Sequence, residues 1–362
     1  MNIKSKKINK YLLPLSYLYG WGVWVRNKLF DRKIFSSEKF DVPVICVGNI
    51  TVGGTGKTPH VEYLIRLLQA KKYKLAVLSR GYKRKTSGFI LADKKSTGKI
   101  IGDEPFQIFR KFPEIIVAVD ANRRRGIRKL LALPEKERPN VILLDDAFQH
   151  RYVQSSLSIL LTDNNRPIYE DALLPAGRLR EPLSRKNKAD IVIVTKCPPN
   201  MTPIEYRLVG KYLNLFPYQS LFFTAFEFEN LIPCFKNNES ETLTLSEIKE
   251  KDCPVLLIAG IANPQALISE LKMYTSQLET LIFPDHHSFS KKDIQKIENT
   301  RREVIITTEK DFVRLIDCEF SDEVKNSMFY LPVKVVFKSK EDLFTKKIYN
   351  HVRNFKRNGK VA

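Results

Sequence analysis

Short, unbroken apolar runs alternate with helically spaced ones along most of the chain. The first series is VPVICVGN (42–49), KLAVLSRG (74–81), EIIVAVD (114–120), VILLDD (141–146), LSILLTD (157–163) and ADIVIVTK (189–196). These runs are short, β-branched and free of charge at their centres, the pattern of strands buried on both faces. Between the first two lies TPHVEYLIRLLQ, whose Val61, Leu64, Ile65 and Leu68 recur at i, i+3, i+4 and i+7 and mark one face of a helix. Strand–helix–strand repetition predicts an α/β fold built on a doubly wound parallel sheet.

The rhythm changes near Pro217. LFFTAFEFEN (221–230) is aromatic and partly alternating, which suits a strand buried less evenly on its two sides. A polar loop, KNNESET (236–242), precedes VLLIAG (255–260), LETLIFPD (278–285), VIITTEKD (304–311) and MFYLPVKVVF (328–337), again with helical segments between. The expected division is an N-terminal segment (1–30), a first α/β domain (31–218) and a second, smaller one (219–362). The basic tail HVRNFKRNGKVA (351–362) is expected to fray. No internal repeat is present.

The stretch YLLPLSYLYGWGVWV (11–25) has Lys4, Lys6, Lys7 and Lys10 before it and Arg26 and Lys28 after it. A span of the hydrocarbon needs about 20 apolar residues, so this one is too short to cross comfortably. No small-residue cleavage site follows, as a signal peptide would require. Pro14, Gly20 and Gly22 weaken any regular helix here, yet an N-terminal membrane-interfacial helix is the expected element. Tyr and Trp at 11, 17, 19, 21 and 24 between basic flanks suit a membrane–water interface. The alternative is a helix packed on the core.

Composition narrows the partners. The 362 residues, 43% hydrophobic and 28% charged, have the balance of an ordinary globular chain and exclude collagen-like or wholly disordered classes. The formal net charge of +21 calls for an acidic partner: nucleic acid, an anionic membrane surface or phosphorylated substrates. Cys46, Cys197, Cys234, Cys253 and Cys318 are odd in number and widely spaced, without a CxxC. That argues against a disulfide framework or zinc site and for a reducing compartment.

The strongest chemical signal follows the first predicted strand. Thr51-Val52-Gly53-Gly54-Thr55-Gly56-Lys57-Thr58 matches G-x-x-x-x-G-K-[ST] except that Thr51 replaces the opening Gly. The glycines let backbone N–H groups turn inward around phosphates, Lys57 can reach the β/γ-phosphates, and the Thr58 hydroxyl can ligate Mg²⁺. The helix N-terminus adds partial positive charge. VILLDD ends in Asp145 and Asp146 at the carboxyl edge of the sheet, where either can hold Mg²⁺. Guanine-specific relatives of this fold carry Asn-Lys-x-Asp where this chain has Thr195-Lys196-Cys197-Pro198, so ATP is favoured over GTP. These features leave two broad readings open, a P-loop kinase or a P-loop ATPase drawn to nucleic acid by its charge. No recognised nucleic-acid motif supports the second. A non-catalytic scaffold would not need Lys57, Thr58 and both aspartates together.

Further strings fall in a fixed order: TVGGTGKTP (51–59), SRGY (79–82), GDEP (102–105), DANR (120–123), DDAFQHR (145–151), LPAGRLREP (174–182), FPDHH (283–287) and TTEKD (307–311). Together they resemble the tetraacyldisaccharide 4'-kinases, the lipid A 4'-kinases of Gram-negative envelope synthesis. That family also carries a small hydroxyl residue at the position of Thr51, and Ala147 stands where its DDGFQHR has Gly. The resemblance implies a P-loop NTPase-like fold that transfers the γ-phosphoryl group of ATP, with Mg²⁺, to the 4'-hydroxyl of a lipid disaccharide 1-phosphate. It implies work at the cytoplasmic face of the inner membrane, where substrate and bilayer are both anionic, with no nucleic acid and no obligate protein partner.

The same resemblance assigns roles that the residues alone leave open. Asp103 would act as base on the sugar hydroxyl, although an Asp before a helical run is also an ordinary N-cap. The frame FPDH selects His286 rather than His287 to orient or tune Asp103 across the cleft between domains. Asn122, Arg123, Gln149 and His150, with Arg80 and Tyr82, would grip the acceptor, yet residues just past strand ends also serve as caps. Arg180 and Glu181 would lie near ATP, Glu181 at the metal; without the resemblance they read as a surface ion pair. The TTEKD segment fits the family without a physical role.

Overall fold

The fold was taken from a computed structural model that describes residues 8–235, 243–300 and 302–358. Lys4, Lys6, Lys7, the KNNESET loop (236–242) and the last four residues lie outside the described residues. The strands are β1 (Val44–Gly48), β2 (Leu75–Ser79), β3 (Ile90–Leu91), β4 (Ile116–Val119), β5 (Val141–Asp145), β6 (Leu157–Asp163), β7 (Ile191–Thr195), β8 (Ser220–Phe228), β9 (Ile232–Pro233), β10 (Val255–Ala259), β11 (Leu278–Ile282), β12 (Val304–Thr308), β13 (Met328–Leu331) and β14 (Val333–Phe337). The α-helices are α1 (Leu13–Asp31), α2 (Lys57–Gln69), α3 (Gly98–Ile101), α4 (Asp103–Lys111), α5 (Arg123–Leu131), α6 (Pro203–Leu213), α7 (Leu245–Lys251), α8 (Gln265–Leu271), α9 (Lys291–Asn299), α10 (Glu309–Leu315), α11 (Asp322–Ser327) and α12 (Glu341–Asn358).

Nine strands form the larger sheet in the order β14-β8-β7-β6-β1-β5-β2-β4-β3, and five form the smaller in the order β11-β10-β12-β13-β9. All neighbours are parallel except β3 on β4, β14 on β8 and β9 on β13. The central strands β1, β2, β5 and β7 are buried along their whole length, which is why their sequences carry no alternation. β1 lies between β5 and β6, with Val47 opposite Asp145 and Gly48 opposite Leu160. The chain leaving β1 therefore emerges at a switch point of strand order, where open α/β sheets place their ligand crevice.

The expected division at residue 219 shifts. Strand β8 pairs with β7 and belongs to the larger sheet, and so does β14 near the chain's end. The apolar run 328–337 is two strands rather than one. Pro332 has no N–H to offer a ladder, and on either side of it β13 pairs with β12 while β14 pairs with β8. The smaller unit is thus an insertion between β8 and β14. Helix α12 then packs Phe344, Ile348 and Val352 against Val61, Leu64 and Leu68 of α2 and the face of the large sheet. The tail expected to fray is helical to Asn358.

Helix α1 stands where an N-terminal helix was expected, and the residues expected to weaken it are accommodated. It runs unbroken for 19 residues because Pro14 sits in its first turn, where a missing N–H costs nothing. Gly20 lets the helix approach the loop after β6 closely, since a Cβ there would lie 2.8 Å from Leu173. Ser16 Oγ donates to the Leu173 carbonyl (2.9 Å) and the Tyr19 hydroxyl to the Arg180 carbonyl (2.9 Å). The helix leaves Leu15, Tyr17, Leu18, Trp21 and Trp24 exposed, as is Tyr11 just before it. No described helix is long and apolar enough to cross a membrane.

A buried charge network joins three helices beneath the crevice. Lys111 of α4 reaches Glu62 of α2 (2.7 Å) and Glu309 of α10 (2.7 Å), and Gln107 Nε2 donates to Glu62 (2.9 Å). Burial, reinforced by the nearby charge of Glu309 and opposed by Lys111, pushes the Glu62 carboxyl up from 4.5 to about 7. The native chain therefore holds a proton there that the unfolded chain has released, and stability falls as pH rises across that window. Glu62→Gln should remove this slope. It should match wild type at pH 5 and gain roughly 1 kcal/mol, about 2–4 °C in Tm, at pH 8. Thermal melts at the two pH values decide; parallel pH profiles for the two proteins would count against it.

Candidate active site

The turn after β1 is folded around its own polar side chains. Asn49 is fully buried, and its amide donates to the hydroxyls of Thr55 (2.8 Å) and Thr51 (3.3 Å). Val52 N donates to the Arg178 carbonyl (2.8 Å) and Arg180 N to the Ile50 carbonyl (2.7 Å), so the loop is braced by the segment 178–180. Gly53 and Gly56 have φ of 114° and 83°, which strain any side chain. A Cβ on Gly56 would also meet the Phe226 ring at 2.3 Å. Gly54 has open space around it, and Lys57 and Thr58 start α2. The loop thus points its backbone and a helix N-terminus into the crevice, the arrangement that holds phosphates.

Across the loop stand two aspartates with different tasks. Asp145 Oδ2 accepts from Ser79 Oγ (3.0 Å), while its Oδ1 is buried without a hydrogen-bond partner. Burial and the neighbouring Asp146 charge push the Asp145 carboxyl up to about 6. Asp146, in a left-handed turn at φ 47°, faces Lys57 (3.6 Å) and Arg180 (3.0 Å). Burial raises it, but those cations outweigh burial and hold it below the usual carboxylate range. Arg180 also donates to Asn49 Oδ1, tying Asp146 to the loop.

The second half of the site comes from both sheets. Gly102, at φ 97°, ends α3 and starts α4, so Asp103 opens a helix with its carboxylate free of any capping bond. His286 follows β11 in the smaller unit, itself at φ 62°, and its Nδ1 lies 3.3 Å from Asp103 Oδ2. Arg314 of α10 closes on the same oxygen with Nε (2.9 Å) and Nη2 (2.7 Å). Burial raises the Asp103 carboxyl, yet hydrogen bonds from His286 and Arg314 outweigh it and leave the group below its ordinary range. A carboxylate held low orients a hydroxyl more than it removes its proton in advance. Glu104, next along α4, lies near enough for its charge to help raise Asp145.

His287 turns away, stacked on Phe283 (4.7 Å) and bonded to Asp293 (3.1 Å). The Tyr82 ring stands edge-on to His286 at 5.6 Å. Arg80, Tyr82, Lys83 and Arg84 line a cavity of about 320 Å³ beside it. Asn122 caps α5, accepting from Arg125 N (3.1 Å). Arg123 is 1% exposed, its Nη1 on the Asp120 carbonyl (2.8 Å) and its Nε unpartnered; burial lowers it to about 10 despite Asp145 and Asp146. His150 Nε2 donates to the Ala121 carbonyl (3.2 Å), and burial with Arg123 lowers this imidazole to about 4. Gln149 donates to the Asn49 carbonyl behind the phosphate loop.

Glu181 is placed differently from the expectation that set it at the metal. Arg180 reaches Asp146 (3.0 Å), whereas Glu181 reaches α1. There Glu181 is 1% exposed and bonded to Arg26 (3.2 Å) and Asn27 (2.9 Å). The residues that sequence reading left without a role are Lys310 and Arg314. The signal was present: Thr308 accepts from Asp311 N and caps α10, so TTEKD is a helix start, and Lys310 and Arg314 lie four apart on one face of it.

Comparisons with known proteins point to one family. The family described as tetraacyldisaccharide-1-P 4'-kinase matches residues 8–353. The curated tetraacyldisaccharide 4'-kinase of a Parabacteroides distasonis strain is 51% identical, covering 96% of this chain and 97% of its own. That of Flavobacterium psychrophilum is 46% identical, covering 97% and 99%. Among solved structures, LpxK from Aquifex aeolicus in complex with ATP is similar with a TM-score of 0.74 and 31% identity, over 95% of this chain and 99% of that one. The chain belongs to the tetraacyldisaccharide 4'-kinase family.

Proposed function

We propose that this chain transfers the γ-phosphoryl group of ATP to the 4'-hydroxyl of a tetraacyldisaccharide 1-phosphate in lipid A biosynthesis. The carrying observation is the meeting of Asp103 and His286 at 3.3 Å, with Glu104 beside Asp103 near enough for its charge to reach Asp145. Phosphoryl transfer asks for positioning and charge neutralisation rather than covalent help. The loop from Thr51 to Thr58 holds the polyphosphate through backbone N–H groups and Lys57, and Arg180 keeps Asp146 beside it.

The residues present fit Mg²⁺. Asp145 Oδ1 is a buried oxygen without a partner, and Thr58 offers a hydroxyl at the head of α2. Among the described residues no three His, Cys, Asp or Glu side chains gather into a protein-only cage, and Mg²⁺ in such enzymes relies on one or two protein ligands plus phosphates. Bound there, the ion would neutralise charge on the phosphates. Asp103 then receives the acceptor hydroxyl, and the basic cavity at Arg80, Tyr82, Lys83 and Arg84 suits the anionic sugar phosphate. The exposed Tyr and Trp side chains of α1 suit the interface of an anionic membrane, at its cytoplasmic face, from which the acceptor would enter.

Purified protein, γ-labelled ATP and tetraacyldisaccharide 1-phosphate test the reading directly; label must appear in the lipid. Asp103→Asn should slow transfer by about 10²- to 10³-fold while nucleotide binding, followed by calorimetry, stays at the wild-type level. Unimpaired transfer by that variant would remove Asp103 from the acceptor side.

A further inference from the structure

The helix that follows β12 carries cations into the Asp103–His286 pair, and their donor-only chemistry restricts the imidazole. Lys310 Nζ lies 3.1 Å from His286 Nε2 and 3.0 Å from Asp285 Oδ1, with Glu104 Oε1 at 3.9 Å. An ammonium has hydrogens to give and no lone pair to accept with. The nearest carboxylate to Nε2, Asp285 Oδ2, lies 4.0 Å away, so Nε2 presents its lone pair to Lys310 and the ring hydrogen of the neutral imidazole goes to Nδ1, the nitrogen with an acceptor in reach. At Nδ1 the neighbours are Arg314 Nη2 (3.1 Å), also donor-only, and Asp103 Oδ2 (3.3 Å). Oδ2 is thus the one acceptor for the Nδ1 hydrogen. The opposite tautomer would set Nε2–H against the ammonium and withdraw the bond to Asp103.

We propose that Lys310 is a positioning residue that fixes the His286 tautomer, so that Nδ1–H holds Asp103 Oδ2. With Arg314 Nε and Nη2 on that same oxygen, Oδ1 is the oxygen turned to the acceptor hydroxyl. Asp285 and Glu104 flank the ammonium, and Asp311 Oδ1 takes Arg314 Nη1 (3.0 Å). Asp311 is itself fully buried, its Oδ2 accepting from Gly260 N (2.8 Å). The TTEKD segment therefore acts as the mount that aims His286. The inference rests on reading Asp103 as the group that receives the hydroxyl.

The test separates the two. In full-length protein labelled with ¹⁵N-histidine, long-range proton–nitrogen spectra report which ring nitrogen of His286 is protonated, the signal being assigned by its loss in His286→Gln. Wild type is expected to show a protonated Nδ1 and a bare Nε2. Lys310→Met should move hydrogen toward Nε2 and lower kcat roughly tenfold, with the KM for ATP within twofold of wild type. Lys310→Arg, which restores a donor, should restore both the nitrogen pattern and most of the rate. A bare Nδ1 in wild type overturns the proposal. So does an unchanged nitrogen pattern in Lys310→Met, whatever happens to the rate, because the lysine would then act only on local structure. Full activity of Asp103→Asn would instead refute the reading of Asp103 and leave the tautomer measurement standing.

Discussion

Lys57→Ala is expected to cut phosphoryl transfer by about 10³-fold or more and leave the thermal melt close to that of wild type. Lys57 opens α2 at the mouth of the phosphate loop, and its ammonium lies 3.6 Å from Asp146. In the nucleotide complex that cation would sit at the β/γ-phosphates, where charge shifts as the bond to the leaving oxygen breaks. Ala cannot replace it, and no other described lysine opens α2. Folding should tolerate the change, since Ala is the best helix former and Asp146 keeps its bond to Arg180 (3.0 Å). A quantitative transfer assay beside a melt decides between outcomes. Transfer within tenfold of wild type would mean that the loop holds something other than the transferred phosphate. Loss of both rate and fold would place the lysine's main role in structure.

Lys111→Met should destabilise the chain by about 3 kcal/mol. The lysine stands between Glu62, which is 1% exposed, and Glu309, with 2.7 Å to each. Removing it leaves two carboxylates confronting one another in a poorly solvated site. Burial already pushes Glu62 up to about 7, so without Lys111 it would take up a proton at neutral pH and carry the cost of that instead. The triple variant Glu62→Gln, Lys111→Met, Glu309→Gln should recover most of the loss, since it retains polar pairing without net charge. Urea unfolding of the three proteins tests this. A single variant as stable as wild type would show that the network is solvated well enough to be dispensable.

The core was legible because its strands are buried on both sides. Val44–Gly48, Val141–Asp145 and Ile191–Thr195 read as apolar runs for that one reason. The phosphate loop was legible because its backbone demands fix residue types at fixed spacing, and Gly53 and Gly56 do adopt left-handed φ. What the sequence could not display were pairings distant in the chain. The run 328–337 has uniform character, yet its halves join different sheets, and hydropathy carries no record of which neighbour a strand will meet. Pro332 was the available clue. Pro14 and Gly20 read as weakening the N-terminal helix because their usual cost is an interior one; a first-turn position and a close neighbour at Leu173 remove it. Glu181 was set at the metal by resemblance, and nothing in its local sequence announces Arg26 and Asn27, more than 150 positions upstream, as its partners. Arg314 escaped notice because nothing in a lone arginine four residues past a lysine announces a carboxylate 211 positions upstream.

The return of the chain's end to its beginning has a consequence for how the protein is made. Phe344, Ile348 and Val352 of α12 complete the apolar layer over α2, so the larger sheet cannot be sealed until α12 has left the ribosome. The insertion between β8 and β14, contiguous in sequence, emerges whole before that moment and is free to fold first. Until α12 emerges, the nascent nucleotide-holding half keeps an open greasy seam, and a chain cut before Glu341 would never close it.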